Sequence, residues 1–303
     1  MLSKIAPVGL MIGLGFFCRK KNIISSEGNH AVKTLVTTFM LPVLLFHALA
    51  TAVYNGDTLK IVLVMLLQLS VTFGVGMLLR KHVTPYGEFL PFILSGFEGG
   101  MIGYPLYSVI CGEENLSKIA TVDIANTMFV FTIFLAVLMA QVSGKFKLNA
   151  MVKNVLHSTV FWGVFAGIFL GVSGMFSRFL ASSAGSIYLS AEEMMTSAVS
   201  ACILIVVGFE LNLKGSMVKA CMKSVLIRLV LQTLALAGVM LLLGDVASSE
   251  EMRIAIILYG FMPPTYVISA YSRKREDGEY LSTTLSLYTV ISIIAFIVIN
   301  LLY

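Results

Sequence analysis

Ser95-Gly96-Phe97-Glu98-Gly99-Gly100-Met101-Ile102-Gly103-Tyr104-Pro105 lies in the middle of an apolar segment that runs from about Glu88 to Gly112. Four glycines, a proline and a carboxylate in one run do not make a lipid-facing helix. Gly and Pro weaken or break the backbone ladder, and an ionised carboxylate in hydrocarbon is expensive. Non-helical backbone at membrane depth survives only where it is buried in protein or lines a cavity. This stretch is therefore the primary candidate site.

The membrane setting follows from composition. Of 303 residues, 58% are hydrophobic and only 12% charged, and the mean hydropathy is +0.92, values of a polytopic all-α membrane protein. A water-soluble core is excluded. The net charge of +5 does not call for nucleic acid, because the basic residues fall in short clusters between apolar runs, where topology explains them. Cys18, Cys111, Cys202 and Cys221 are scattered without CxxC spacing, so neither a metal site nor a disulfide framework is expected. The first apolar run, Ile5 to Phe17, ends in Arg19-Lys20-Lys21 with no small-residue cleavage site and reads as a retained helix.

Apolar runs bounded by turn or charge signals predict ten spans, near 2–18, 33–54, 59–80, 88–112, 119–142, 155–174, 187–211, 219–243, 252–272 and 280–302. The connections after the odd spans, with adjoining helix ends, carry Arg19, Lys20, Lys21, Lys33, Arg80, Lys81, Lys145, Lys147, Lys153, Lys214, Lys219, Lys223, Arg228, Arg273, Lys274 and Arg275. The opposite side carries Lys4, Lys60, Lys118, Arg178 and Arg253. This bias puts the odd connections in the cytoplasm and both termini outside. No connection is long enough for a separate soluble domain.

A second interruption, Gly260-Phe261-Met262-Pro263-Pro264, falls in the ninth span. Pro105 and Pro263 are 158 positions apart, close to the offset between the first and sixth spans, so the broken helix is the fourth of five in each half. Five is odd, so the second half enters from the opposite side. The prediction is a 5+5 inverted repeat, with halves 1–153 and 154–303. Glu98 lies ten residues beyond Glu88, about 15 Å at helical rise, and Pro263 is at similar depth from the other side. The two breaks are expected to cross near the midplane.

Several motifs in this order resemble the auxin efflux carrier family. Leu41-Pro42-Val43-Leu44-Leu45-Phe46 is similar to that family's LPxLLF, Glu98 to Pro105 to its N-x-G-F-L-G-x-P crossover, Gly260 to Pro264 to its MPP, and Tyr288-Thr289-Val290-Ile291-Ser292 to its STLLS. The resemblance runs almost end to end. It implies ten spans, interleaved panel and crossover subdomains, a fold related to bile acid sodium symporters and sodium/proton antiporters, elevator-like export of organic anions, and a homodimer. Glu98 stands where the family has asparagine, and Tyr288 where it has serine. Only Ser143 to Asn154 join spans five and six, in place of the long loop of plant auxin exporters, so auxin is not the expected substrate.

Half-helices beginning after Pro105 and Pro264 are expected to aim N-terminal N–H groups at the midplane and attract a carboxylate. Freed carbonyls around Gly103, Tyr104 and Met262 are expected to coordinate a cation or a substrate donor. Glu98 reads as a coupling carboxylate exchanging a proton or binding sodium, or as a neutral group bridging the breaks. The candidate substrate- and ion-binding set is Glu98, Gly99, Gly100, Gly103, Tyr104, Pro105, Asn126, Met262, Pro263, Pro264, Thr289 and Ser292, with either a proton or a sodium ion as the coupling ion at Glu98. Asn126 reads equally as a ligand or an interhelical hydrogen-bonding group. Asp123 is expected as a first-turn acid beside Thr121, Gln68 as packing and His47 as a satisfied interior imidazole. Glu192, Glu193 and Glu210 are expected at solvated ends of span seven, and Pro42 as a kink in span two.

The leading functional expectation is a secondary active transporter of a small organic anion, a carboxylate, coupled to a proton or sodium gradient or to the membrane potential. A cation/proton antiporter using Glu98 is the alternative, and a receptor or sensor on the same fold is the third reading. No Walker A sequence, HExxH or GxGD pair is present, so ATP hydrolysis and intramembrane proteolysis are not expected. No cofactor, metal ligand set or nucleic-acid partner is expected; membrane lipids are. A short chain without a long loop or targeting extension fits a prokaryotic cytoplasmic membrane.

Overall fold

The computed structural model describes residues 2–143, 148–272 and 274–303. Lys145, Lys147 and Arg273, used above for orientation, lie outside the described residues. The described residues are helical with no strand. Six helices among them are long and apolar enough to cross a membrane: Ser26–Ala50, Gly56–His82, Glu113–Gln141, Ser183–Glu210, Gly215–Ala247 and Arg275–Leu302. Shorter helices lie in other apolar stretches. They include Leu2–Lys20, Leu90–Leu94, Tyr104–Cys111, Thr159–Val172, Glu250–Gly260 and the 3-10 turn Tyr266–Tyr271.

The chain forms two compact units, each assembled from separated stretches. One comprises 1–59, 100–121 and 154–211; the other comprises 60–99, 122–153 and 212–303. Each unit draws on both halves of the chain. The first stretch quoted above crosses from one unit to the other between Gly99 and Gly100.

In the first unit, Thr159–Val172 packs along Leu41–Ala50 through a stripe of Gly163, Gly167 and Gly171. A Cβ at these positions would lie 2.6 Å from Pro42 O, 2.8 Å from Phe46 O and 2.7 Å from Leu49 O. Small residues at four-residue spacing let the backbones approach as membrane helices do. The Ser26–Ala50 helix takes a π turn over Val36–Met40 directly ahead of Pro42, where the missing proline N–H breaks the regular ladder. Arg19 caps the end of Ser183–Glu210 by donating to Leu211 O at 2.9 Å, a cation at a helix C-terminus. Glu210 is paired there with Lys33 at 2.8 Å, so it is not simply a solvated end residue.

In the second unit, Gly215–Leu243 packs against Arg275–Leu302 and Leu90–Leu94. Val83, Leu90 and Leu94 form an apolar cluster with Leu79, Ile227 and Leu231. One face of the long helix is polar yet buried, with Ser224, Arg228 and Gln232 at successive four-residue steps. Ser224 Oγ lies 2.6 Å from Tyr280 Oη, and Gln232 Oε1 accepts from Gln68 Nε2 at 2.6 Å. Gln68 is thus a buried packing group, with its amide used between helices.

Candidate functional site

Helix Leu90–Leu94 ends where Ser95 turns to extended backbone, and Gly96 follows at φ +69°, a left-handed conformation that glycine adopts without steric cost. Ending a helix inside a membrane protein strands its last carbonyls, which then need partners. The second unit supplies them. Ser95 Oγ donates to Pro91 O at 2.8 Å. Gln232 Nε2 donates to Leu94 O at 2.7 Å, and Arg228 Nη1 donates to Ile93 O. Asn126 brackets Phe97, accepting its N–H at 2.9 Å and donating to its carbonyl at 3.0 Å.

The second interruption meets the first. Glu98 N–H donates to Pro263 O at 2.9 Å, and Tyr266 N–H donates to Glu98 Oε2 at 2.7 Å. Arg228 Nη2 donates to both Gly96 O, at 3.1 Å, and Met262 O, at 2.9 Å. The Ser292 hydroxyl lies 2.6 Å from Phe261 O and 2.9 Å from Tyr288 O, its single proton serving one carbonyl at a time. Thr289 Oγ1 is 3.1 Å from Tyr266 Oη. Glu98 is half-buried, while Gly99, Met262, Pro263 and Pro264 are buried. Backbone that would be prohibitively exposed in lipid is thus paired group by group.

Asp123 belongs to this cluster. It was expected as a first-turn acid beside Thr121, but it is the eighth residue of Leu116–Phe129, is buried, and accepts from Asn126 Nδ2 at 3.1 Å and from Tyr259 Oη. Thr121 instead donates to Ser117 O. A Cβ on Gly99 would come within 2.8 Å of Asp123 Oδ1 and 3.0 Å of Tyr259 Oη, so the glycine makes room for that pair.

These two touching interruptions, satisfied by side chains from neighbouring helices, coincide with a match along the chain. A family model described as membrane transport protein, that of the auxin efflux carriers, covers residues 1–300. The chain belongs to the auxin efflux carrier family. It is therefore an integral, multi-pass membrane transporter. No curated protein matches it.

Within this transporter, Glu98, Gly99, Asn126, Met262, Pro263, Pro264, Thr289 and Ser292 belong to the second unit, whereas Gly100, Gly103, Tyr104 and Pro105 belong to the first. One local expectation needs correction. Helical backbone starts before Pro105, with a π turn over Gly99–Gly103 running into Tyr104–Cys111. Proline is tolerated in a first turn, where its missing N–H would be unpaired anyway. The Gly103 and Tyr104 carbonyls therefore lie within helical backbone and are not freed to coordinate a cation.

The expectation that Arg228 lies with the charges at the ends of the spans fails. It is completely buried, and its guanidinium lies 5.1 Å from the Phe97 ring and 4.9 Å from the Tyr288 ring, within cation–π range. Its removal from the charge count leaves the orientation bias unchanged in sign. The signal that finds it is the Ser224, Arg228, Gln232 spacing inside an apolar span, nine residues from the predicted start at Lys219.

The first unit holds a separate cavity of about 210 Å³ with His47, Glu113, Glu114, Glu192 and Glu193 in its wall. Glu192 and Glu193 thus lie well inside Ser183–Thr196 instead of at the helix start. His47 stacks on Tyr188 at 5.9 Å, with Nδ1 3.3 Å from the phenol oxygen.

Proposed function

We propose that this transporter is a secondary carrier that moves a small organic anion, a carboxylate, across the cytoplasmic membrane. The observation that carries the reading is the Glu98 carboxylate accepting the Tyr266 N–H where the two interrupted helices cross. This backbone donor is suited to a carboxylate, and the chain's own carboxylate is seated on it. A fixed positive charge, Arg228, lies against the same two interruptions.

The chemistry that follows is exchange. Proton uptake by Glu98 weakens it as an acceptor, because hydrogen bonds to charged groups are the stronger ones. A substrate carboxylate then replaces it near Tyr266, with Asn126 holding the backbone of Phe97 in register. Release of the proton on the other side restores the internal contact and expels the substrate. Thr289 positions the Tyr266 ring, and Ser292 steadies the Phe261 carbonyl.

The rest of the reading is proposed on the same footing: ten spans in inverted halves 1–153 and 154–303, both termini outside, elevator-like alternating access, and a homodimer. Its supports are the Lys and Arg bias and the matching positions of the two interruptions. A cation/proton antiporter is the second reading, favoured by Glu98 standing where the family has asparagine.

Glu98→Gln tests the exchange step in proteoliposomes. The amide oxygen still accepts from Tyr266, so folding is expected to persist, but no proton is exchanged. Uptake of the carboxylate is expected to lose its dependence on pH. An unchanged pH profile contradicts the role given to Glu98, and the absence of concentrative uptake by the native protein contradicts the carrier reading.

A further inference from the structure

Interrupted helices in secondary transporters present two kinds of end. N-terminal ends favour anions, while unwound carbonyls and C-terminal ends coordinate the coupling cation. In the second unit the C-terminal ends are the carbonyls of Ile93 and Gly96, at and just beyond the end of Leu90–Leu94, and that of Met262, just beyond Glu250–Gly260. All three accept from one guanidinium, that of Arg228. The side chain is fully buried and is faced by the Phe97 and Tyr288 rings. It has no acid within ion-pairing distance among the described residues.

An unpaired charge at this depth is expensive unless hydrogen bonding compensates it. Here the compensation comes from the carbonyl dipoles and aromatic faces that would otherwise hold a free cation. Arginine suits this place because its planar fork reaches several acceptors and stays charged at all accessible pH values. Lysine would offer one compact group in place of a fork.

We infer that Arg228 is a tethered cation occupying the carbonyl site formed by the two interruptions, so that this carrier needs no sodium ion there. The inference rests on the carrier reading above and narrows its coupling. The positive charge that balances the transported anion is permanent, and only the proton on Glu98 varies. Tyr288, in the position where the family has serine, belongs to the same device, because its ring supplies one of the two aromatic faces over the guanidinium.

The test uses the thermal midpoint of the full chain in detergent, which needs no substrate and so separates failure of this inference from failure of the carrier reading. Replacing potassium or choline by sodium at constant ionic strength is expected to leave the native midpoint unchanged. Arg228→Ala is expected to lower it by about 5 °C or more. Millimolar guanidinium, but not choline, is then expected to recover part of the loss by refilling the carbonyl site. Arg228→Lys is expected to fall between the two, as it keeps the charge and loses the fork. Specific stabilisation of the native protein by sodium, reversed by Glu98→Gln, overturns the inference. So does an Arg228→Ala protein that folds and is indifferent to guanidinium. Should Arg228→Ala fail to fold, the native sodium comparison together with Arg228→Lys decides the matter, and a lysine variant as stable as the native protein overturns it.

Discussion

Asn126 shows how much one side chain does at this crossing. Its oxygen and nitrogen satisfy both polar groups of Phe97, a residue with no helical neighbours to bond, and its nitrogen also reaches Asp123. Asn126→Ala leaves a buried N–H and a buried carbonyl unpaired, which is expected to cost about 2 to 4 kcal/mol. Denaturant or thermal midpoints in detergent would measure it, and a loss under about 0.5 kcal/mol, the size of an ordinary surface substitution, would contradict the assignment. From the sequence, Asn126 was open between ligand and interhelical group, and its position beside Phe97 explains why: it bonds backbone, which no pattern of residue types reveals. The place of Asp123 is hidden in the sequence for a related reason. An acid early in an apolar span resembles a helix-end charge until the elements around it are known. Arg228 resembles a span-end charge for the same reason, since basic residues near span ends normally extend toward water, and only its spacing from Ser224 and Gln232 separates it from them.

At the scale of elements, the interruptions were legible because Gly and Pro act through local backbone chemistry. The helix ends at Ser95 and at Phe261 fall within or beside the runs Gly96 to Pro105 and Gly260 to Pro264, and the two loops touch through the Glu98 to Pro263 bond. The start of the helix containing Pro105 was less legible, because proline marks a first turn as readily as a break. The glycine stripe on Thr159–Val172 makes a different element-scale prediction. Gly167→Leu puts a branched side chain where a Cβ alone would already sit 2.8 Å from Phe46 O. Forced separation of that helix from Leu41–Ala50 is expected to cost about 1 to 3 kcal/mol, read as a lower midpoint, with Gly167→Ala giving a smaller loss. Equal midpoints for all three proteins would show that the helices do not depend on this close approach.

For the molecule as a whole, composition and family agree on a membrane transporter, and the arrangement within the second unit concentrates buried polar chemistry around the two interruptions. The carboxylate and the guanidinium have separate tasks there. Glu98 takes a backbone N–H, and Arg228 takes backbone carbonyls. The most direct measurement of the central claim is the thermal midpoint of the purified protein against a panel of small carboxylates and their uncharged amide analogues, at acidic and neutral pH. A ligand at a hundred times its dissociation constant adds about 2.7 kcal/mol, enough to shift the midpoint visibly. The account predicts that at least one carboxylate raises the midpoint, that its amide does not, and that Glu98→Gln removes the dependence of the shift on pH. A panel in which no carboxylate acts while protons or alkali cations alone move the midpoint would contradict it and favour cation/proton exchange at Glu98.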